Sequence, residues 1–550
     1  MIKDINGTGA KLLVEALVAQ GTEFVFGVPG AKVDACFDAL RDSPIRVILC
    51  RHEQAAAFMA AAYGRLKGLP GVVLSTSGPG VSNLATGLLT ANTENDPVVA
   101  IGGNVTRAMA FKEVQQNTEN TDLLKATCKN VYNISIPEQI PEVLANAFRK
   151  AVLPPSGAVF LSIPQDILQG EATGKVIPQI AIPKMGSSPS SEIQKVADAL
   201  DQAKNPVLLL GLEAGKKRNT DAFRNFLRKY KSATVITYQA AGVISRDLVK
   251  YFVGRVGLFR NQPGDQVLKN ADLVVTIGFR PVEYNPIFWN PQGALEIIHL
   301  NYDPCSLQLN YQPKYELIGD IKENLEALTE RIKEREKLGN EDLVTSLRQE
   351  LFDKIESGKN FNKTPIHPLR FIYELRNYID DDTIIASDIG SHYMWLARYL
   401  LMYKPRQLLI SNGQQTLGVA LPWAISVALQ NPKQKIISIS GDGGFLYSAS
   451  ELETAMREGC NFIHFVWCDG AFNMVLEQAV IKYNRSTSVD IQSVDVVKFA
   501  ESFGAHGFRV NKPEDITMIL KKSEKISGPI LVEVPIDYSD NRKLFEDQIT

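Results

Sequence analysis

Short apolar runs rich in valine and isoleucine alternate with stretches of helical periodicity along almost the whole chain. A strand reads this way when helices cover both faces of its sheet, because none of its side chains then meets water. The pattern predicts strands at 24–28, 46–49, 72–76, 98–102 and 158–163 in the first third. It predicts four more at 206–211, 233–238, 273–278 and 295–301, and five at 383–387, 407–411, 435–440, 462–468 and 530–534. Strand and helix in alternation imply an α/β fold of three doubly wound units with mainly parallel sheets.

Two interruptions separate the units. Across 178–191, Pro, Gly and Ser replace the periodic pattern. Across 321–360 charge dominates, as in Glu330-Arg331-Ile332-Lys333-Glu334-Arg335-Glu336-Lys337. Apolar residues recur there at helical spacing and the two signs interleave, so exposed helices joining the second and third units are expected rather than a basic binding patch. The expected boundaries are 1–177, 191–335 and 365–540. A chain of 550 residues has the length of roughly three or four domains at about 150 residues each. No short tandem repeat is visible, although the first and third units could share a fold without sharing sequence.

Composition narrows the function class. With 45% apolar and 22% charged residues the chain is globular. Lys plus Arg number 59 against 61 acids, a net charge of −2, which gives no field for gripping nucleic acid or an anionic membrane. No apolar run approaches the roughly 18 residues of a membrane span, and Met1-Ile2-Lys3-Asp4-Ile5-Asn6 lacks the pattern of a signal peptide. Cysteines 36, 50, 128, 305, 460 and 468 are scattered without a CxxC, as buried thiols in a reducing compartment would be. A cytoplasmic protein acting on small molecules, with neither nucleic acid nor membrane as partner, is expected.

The strongest local chemistry lies in the last third. The strand at 435–440 runs into Gly441-Asp442-Gly443-Gly444, whose glycines let a phosphate approach the backbone closely. The next strand ends in Cys468-Asp469-Gly470-Ala471, so a second carboxylate follows Asp442 by 27 residues, one strand–helix–strand unit later at the same sheet edge. Two carboxylates, backbone carbonyls and a diphosphate make an all-oxygen site suited to Mg²⁺. No strand-linked GxGxxG opens a helix, which argues against a nicotinamide dehydrogenase.

A GDG followed about 27 residues later by Asn or Asp resembles the metal motif of the thiamine-diphosphate enzymes. Arg51-His52-Glu53-Gln54, Gly27-Val28-Pro29-Gly30, Ser77-Gly78-Pro79-Gly80, Asp388-Ile389-Gly390-Ser391-His392 and Asn412-Gly413-Gln414-Gln415-Thr416-Leu417-Gly418 also match that family's loops, in order and over nearly the full chain. The resemblance implies a pyrimidine-binding first domain, a central domain and a C-terminal domain for diphosphate and Mg²⁺. It implies metal ligation at Asp442, Asp469 and Ala471. Glu53 would hydrogen-bond the aminopyrimidine across a subunit interface, and Leu417 would bend the cofactor from beneath. Further cofactor contacts are implied at Thr76, Pro79, Ile389, Gly390, Ser391, His392, Gln414, Gly443, Gly444 and Met474.

Several stretches, among them 26–32, 83–94, 255–259 and 410–424, are similar to one branch, the FAD-independent catabolic acetolactate synthases. The reaction this implies decarboxylates one pyruvate and joins its hydroxyethyl unit to the keto carbon of a second, giving 2-acetolactate and CO2. Met474 would lie over the substrate cavity with Gln478 at i+4 on the same helix face. In the flavin-containing anabolic branch the latter position is a tryptophan favouring 2-ketobutyrate, so Gln478 points to pyruvate as acceptor. Lys32 is placed to meet a carboxylate, and Gln116 aligns with a substrate-contacting glutamine. The stretch 208–215 lacks the glycine cluster expected against a dinucleotide, so no FAD is expected. A homodimer that builds the site, paired into a homotetramer, is the implied assembly. The competing readings are another thiamine-diphosphate 2-keto-acid decarboxylase or carboligase, an anabolic synthase, and a non-catalytic protein retaining the fold.

Overall fold

The computed structural model describes residues 4–260 and 262–545. Three six-stranded, wholly parallel sheets carry the chain, together with a small antiparallel pair, Asp4–Thr8 with Glu171–Lys175. The first sheet runs, edge to edge, Arg46–Leu49, Phe24–Val28, Gly71–Ser75, Val98–Asn104, Ala158–Pro164, Asn130–Asn133. The third runs Leu408–Leu409, Ile384–Ser387, Ile436–Gly441, Phe462–Cys468, Pro529–Pro535, His506–Arg509. Numbered within each unit these orders are identical, so the first and third units share one topology. The central sheet is wound differently: Phe252–Val256, Ala233–Thr237, Pro206–Leu210, Leu273–Ile277, Glu296–Asn301, Tyr315–Ile318.

Every predicted strand forms, most within a residue or two of the expected ends, because a largely apolar run is driven to a doubly covered place in a sheet. The run at 407–411 shortens to Leu408–Leu409. Two of the strands that the pattern missed, Asn130–Asn133 and His506–Arg509, are short sheet edges whose polar residues reach solvent, whereas the missed Phe252–Val256 is a buried edge whose apolar run is broken by Gly254 and Arg255. Helices Ile321–Arg331 and Glu341–Glu356 occupy the charged stretch, but they are not exposed throughout. Leu325, Leu328 and Leu351 pack into one side of the central core, Val344 and Leu347 into the other, and only the charged faces meet water.

One core joins the first and third sheets. Helix Glu53–Lys67 is capped by His52, whose Nδ1 accepts from the Gln54 amide, and ends at Gly68 with φ 71°. Its run of small residues from Ala55 to Gly64 is buried on all sides, against its own sheet, against helix Ala85–Thr93 and against helix Ala420–Gln430. A helix with such neighbours has no polar face to show, which explains its uniform apolar sequence. At its end Arg65 makes two bonds to Asp96, at 2.9 and 2.7 Å, and a third to the Ile410 carbonyl at 3.0 Å. The first unit is thereby locked to the third within the same chain. Among the described residues no helix is long and apolar enough to cross a membrane.

Candidate active site

Two clusters form at the carboxyl ends of the first and third sheets, where open α/β sheets take ligands. Glu53 is the first residue of its helix, directly after the strand Arg46–Leu49, so its carboxylate also lies at the positive end of the helix dipole. It is buried, and the Asn83 amide donates to its Oε2 at 2.9 Å. Pro79 opens the short helix Pro79–Asn83 that presents this asparagine. Glycines hold the space around the carboxylate. A Cβ on Gly80 would stand 2.9 Å from Thr76 Cγ2 and 3.4 Å from Glu53 Oε1, and one on Gly30 only 2.5 Å from Thr76 Cβ. Thr76 Oγ1 is buried with no hydrogen-bond partner. Gln116, at φ 62°, closes over Gly78 and accepts from Ser77 Oγ at 3.4 Å. Lys32 stands beside Gly103, and its Nζ donates to Gln165 Oε1 at 3.1 Å.

The second cluster gathers the C-terminal loops. Asp388 ends the strand Ile384–Ser387 and is buried, accepting from the Ile389 amide and, through both oxygens, from the Gly418 amide at 2.9 Å. Burial pushes its carboxyl up to about 7. Gly390, at φ 151°, precedes helix Ser391–Tyr399, and Leu417 Cδ2 lies 3.6 Å from where a Cβ on Gly444 would be. His392 is buried against Gly390 and Gly441, is held neutral by that burial with its pKa down at about 3, and leaves Nε2 without a partner.

Asp442 and Asp469 face each other across adjacent strand ends. Asp442 accepts from the Gly443 and Gly470 amides, both at 2.9 Å, and burial raises its pKa. Asp469 stands at the open edge of the cleft, yet loss of hydration and then the Asp442 charge push its carboxyl up to about 7. Two carboxylates that resist ionising together are what a divalent cation relieves. Among the described residues no three His, Cys, Asp or Glu side chains converge as a closed metal centre. A cation here would therefore complete its shell from main chain, as at Ala471, and from a bound anion. Met474 and Gln478 share a face of helix Asn473–Tyr483. None of that helix's residues is fully buried, and Val475 is 56% exposed.

Gln414 Nε2 donates to Thr93 Oγ1 of the first unit at 3.0 Å. The neighbouring Gly413 amide goes to Glu94 Oε1 at 2.7 Å and Thr416 pairs with Thr90 at 2.8 Å, so this loop is stitched to the first unit. Sequence reasoning missed Asn83 and Asn473. The Asn473 amide holds Asp469 and its Oδ1 accepts from Ser391 Oγ at 2.8 Å, joining the Asp469 and Ser391 ends of the cluster. Its place four residues after Asp469, at the start of a helix, was the available signal; Asn83 had none, being 30 residues from Glu53. Among the described residues no hydrogen bond or ion pair links Glu53, Thr76, Asn83 or Gln116 to Asp388, Ser391, His392, Asp442 or Asp469.

The pair of clusters fits thiamine diphosphate. One offers a buried carboxylate and an orphaned hydroxyl for the aminopyrimidine. The other offers main-chain amides at a helix start, an orphaned imidazole nitrogen and two carboxylates for a metal-bound diphosphate. Residues 7–123, 193–328 and 388–534 match, respectively, the N-terminal TPP binding domain, the central domain and the C-terminal TPP binding domain of the thiamine pyrophosphate enzymes. The chain is 46% identical to an acetolactate synthase of Bacillus subtilis, the match covering 99% of this chain and 96% of that protein. It is 44% identical to a catabolic acetolactate synthase of Raoultella terrigena, over 97% and 96%. It is 28% identical to the acetolactate synthase isozyme 2 large subunit of Escherichia coli, over 97% and 96%. Matches of this extent, covering all three sheets and both clusters, mean that the chain belongs to the acetolactate synthase family of thiamine pyrophosphate enzymes.

Proposed function

We propose that this protein is a catabolic-type acetolactate synthase, joining two pyruvates to give 2-acetolactate and CO2. The observation that carries the reading is the coexistence of Glu53, held by Asn83, with the facing pair Asp442 and Asp469. They stand in a chain whose relatives at 46% and 44% identity bear the name acetolactate synthase.

Asp442, Asp469 and the Ala471 main chain would hold Mg²⁺. The amides of Ile389–His392 and of Gly443 and Gly444 would receive the diphosphate, and Leu417 would stand beneath the rings. When bound, thiamine diphosphate supplies the electron sink that takes up the electron pair left as pyruvate loses CO2, which no side chain can do. The chain's own residues do the rest. Glu53 would hold or release a proton at its free Oε1 toward the aminopyrimidine, and Asn83 fixes the direction of its carboxylate. Lys32 and Gln116 meet the substrate carboxylate, and Met474 excludes water above the reacting carbon. Gln478 shapes the acceptor pocket for pyruvate.

Each site takes Glu53 from one subunit and Asp442 from another, so the working unit is a homodimer, paired into a tetramer. The separation of the clusters within one chain and the solvent-facing apolar residues of helix Asn473–Tyr483 support this. The units 1–177, 191–335 and 365–540 act as pyrimidine, central and diphosphate domains. The protein is cytoplasmic and needs no FAD. Incubation with pyruvate, thiamine diphosphate and Mg²⁺ tests the chemistry: acetolactate, read as acetoin after acid, supports it, whereas acetaldehyde or acetyl phosphate as the product sinks it. Co-expression of Glu53→Gln and Asp469→Ala chains tests the shared site. Random pairing of two inactive chains should restore about a quarter of wild-type activity if each site spans two subunits, and none if it lies within one.

A further inference from the structure

The central sheet has the strand order of dinucleotide-binding sheets, with its switch point between Pro206–Leu210 and Leu273–Ile277. A dinucleotide's diphosphate would enter there, against the amides of the first strand-to-helix turn. In this chain a side chain already occupies the place. The carboxylate of Glu283, only 2% exposed, reaches back over the strand ends. Its Oε2 accepts from the Leu212 amide at 2.8 Å and from Thr237 Oγ1 at 2.7 Å, and its Oε1 from the Arg280 amide at 2.9 Å. Three strand ends thus spend their donors on one internal carboxyl group. The crevice is also shut sterically, since a Cβ on Gly211 would stand 2.4 Å from Phe279 Cα and 2.6 Å from Glu283 Oε1.

The same residue reaches the cofactor loop. Asn412, buried where that loop begins, donates through Nδ2 to the Glu283 carbonyl at 3.1 Å and to Gln239 Oε1 at 3.2 Å. Its Oδ1 accepts from Tyr393, on the helix that starts at Ser391. From Asn412 the loop continues through Leu417 to Gly418, whose amide is clamped by Asp388. We propose that Glu283 is the built-in occupant of the central dinucleotide crevice and a positioning residue that orders loop 412–418 for thiamine diphosphate. The inference rests on the flavin-free reading and gives the central unit a task in the site.

The test uses the full-length wild type, Glu283→Ala and Thr237→Val. Each is titrated with thiamine diphosphate at fixed Mg²⁺ by tryptophan fluorescence, with its visible spectrum, melting temperature and pyruvate KM at saturating cofactor recorded alongside. Losing the anchor of the 280–283 turn should raise the cofactor half-saturation roughly tenfold in Glu283→Ala, the scale of one lost buried hydrogen bond. The pyruvate KM should stay within about twofold, because the carboxylate touches no substrate. Thr237→Val, which is isosteric, should give roughly a threefold rise. An unchanged half-saturation in a colourless, folded Glu283→Ala overturns the inference alone, even if its melting temperature drops. If that variant does not fold, an unchanged half-saturation in Thr237→Val overturns it. A flavin spectrum in purified wild type overturns the flavin-free reading itself.

Discussion

Asn83 donates to Glu53 Oε2 at 2.9 Å, and this contact turns a helix-opening glutamate into a carboxylate of fixed direction. The other oxygen is left facing the space kept open by Gly80. Glu53→Gln should retain cofactor binding by fluorescence while CO2 release falls roughly 100-fold or more, the usual worth of a positioned acid–base group. Asn83→Ala should cost about tenfold. Unchanged turnover in Glu53→Gln would remove its proton role.

Asp469→Ala takes away one of two facing carboxylates and the group that Asn473 orients. Mg²⁺ retention in equilibrium dialysis should weaken roughly 10- to 100-fold, and thiamine diphosphate retention with it. A variant that dialyses like wild type would place the metal elsewhere.

Gln478→Trp puts a large flat side chain on the acceptor wall. The ratio of the 2-ketobutyrate-derived product to acetolactate, measured with both keto acids present, should rise. The same ratio in variant and wild type would strike Gln478 from the pocket.

Glu451 belongs to the third unit, yet its Oε1 accepts from the Arg51 and His52 amides at 2.9 and 3.0 Å, immediately before Glu53. Glu451→Ala orphans both amides at about 1–3 kcal/mol each, so the melting temperature and turnover should fall together. Glu451→Gln keeps a carbonyl acceptor and should recover most of both. If Gln were as damaging as Ala, charge rather than the hydrogen bonds would matter.

Burial pushes Asp388 up to about 7 and Glu283 up to about 8, so the native state holds protons that the unfolded chain gives up near 3.8 and 4.5. Their contribution to stability is present at low pH and is lost as pH rises through those folded values. His392 and His464, both pushed down to about 3 by burial, refuse a proton that the unfolded chain takes near 6.5, which costs stability as pH falls below that value. Between about pH 4.5 and 6.5 these carboxyls and histidines oppose one another, and above 6.5 the buried carboxyls dominate, Asp469 at about 7 among them. The melting temperature of the cofactor-free protein should therefore drop from pH 6.5 to 8; a flat or rising curve would contradict the buried-acid account.

Most of the fold was legible because parallel strands covered on both faces leave an apolar trace, as in Pro206–Leu210. The opposite edges Asn130–Asn133 and His506–Arg509 were not, since they carry polar residues that half-exposed edges tolerate. The GDG turn and Asp469 stood out in the sequence because close phosphate approach would demand glycine and a cation would demand carboxylate. The glutamate in the central crevice was not, because Glu283 reads as an ordinary loop residue until its three donors are placed around it.

Local chemistry along the chain was enough to determine the α/β class, the three-unit division as an expectation, and the residue types a diphosphate and its metal require. Only the tertiary structure decided that the first and third sheets share a topology, that Glu53 and Asp442 lie in separate clusters of one chain, and that Glu283 fills the central crevice. The reason is physical: strand pattern and turn chemistry act over a few neighbouring residues. The partners of Glu53, Glu283 and Asn412 are set by sheets packing together, and that juxtaposition leaves no trace in local spacing.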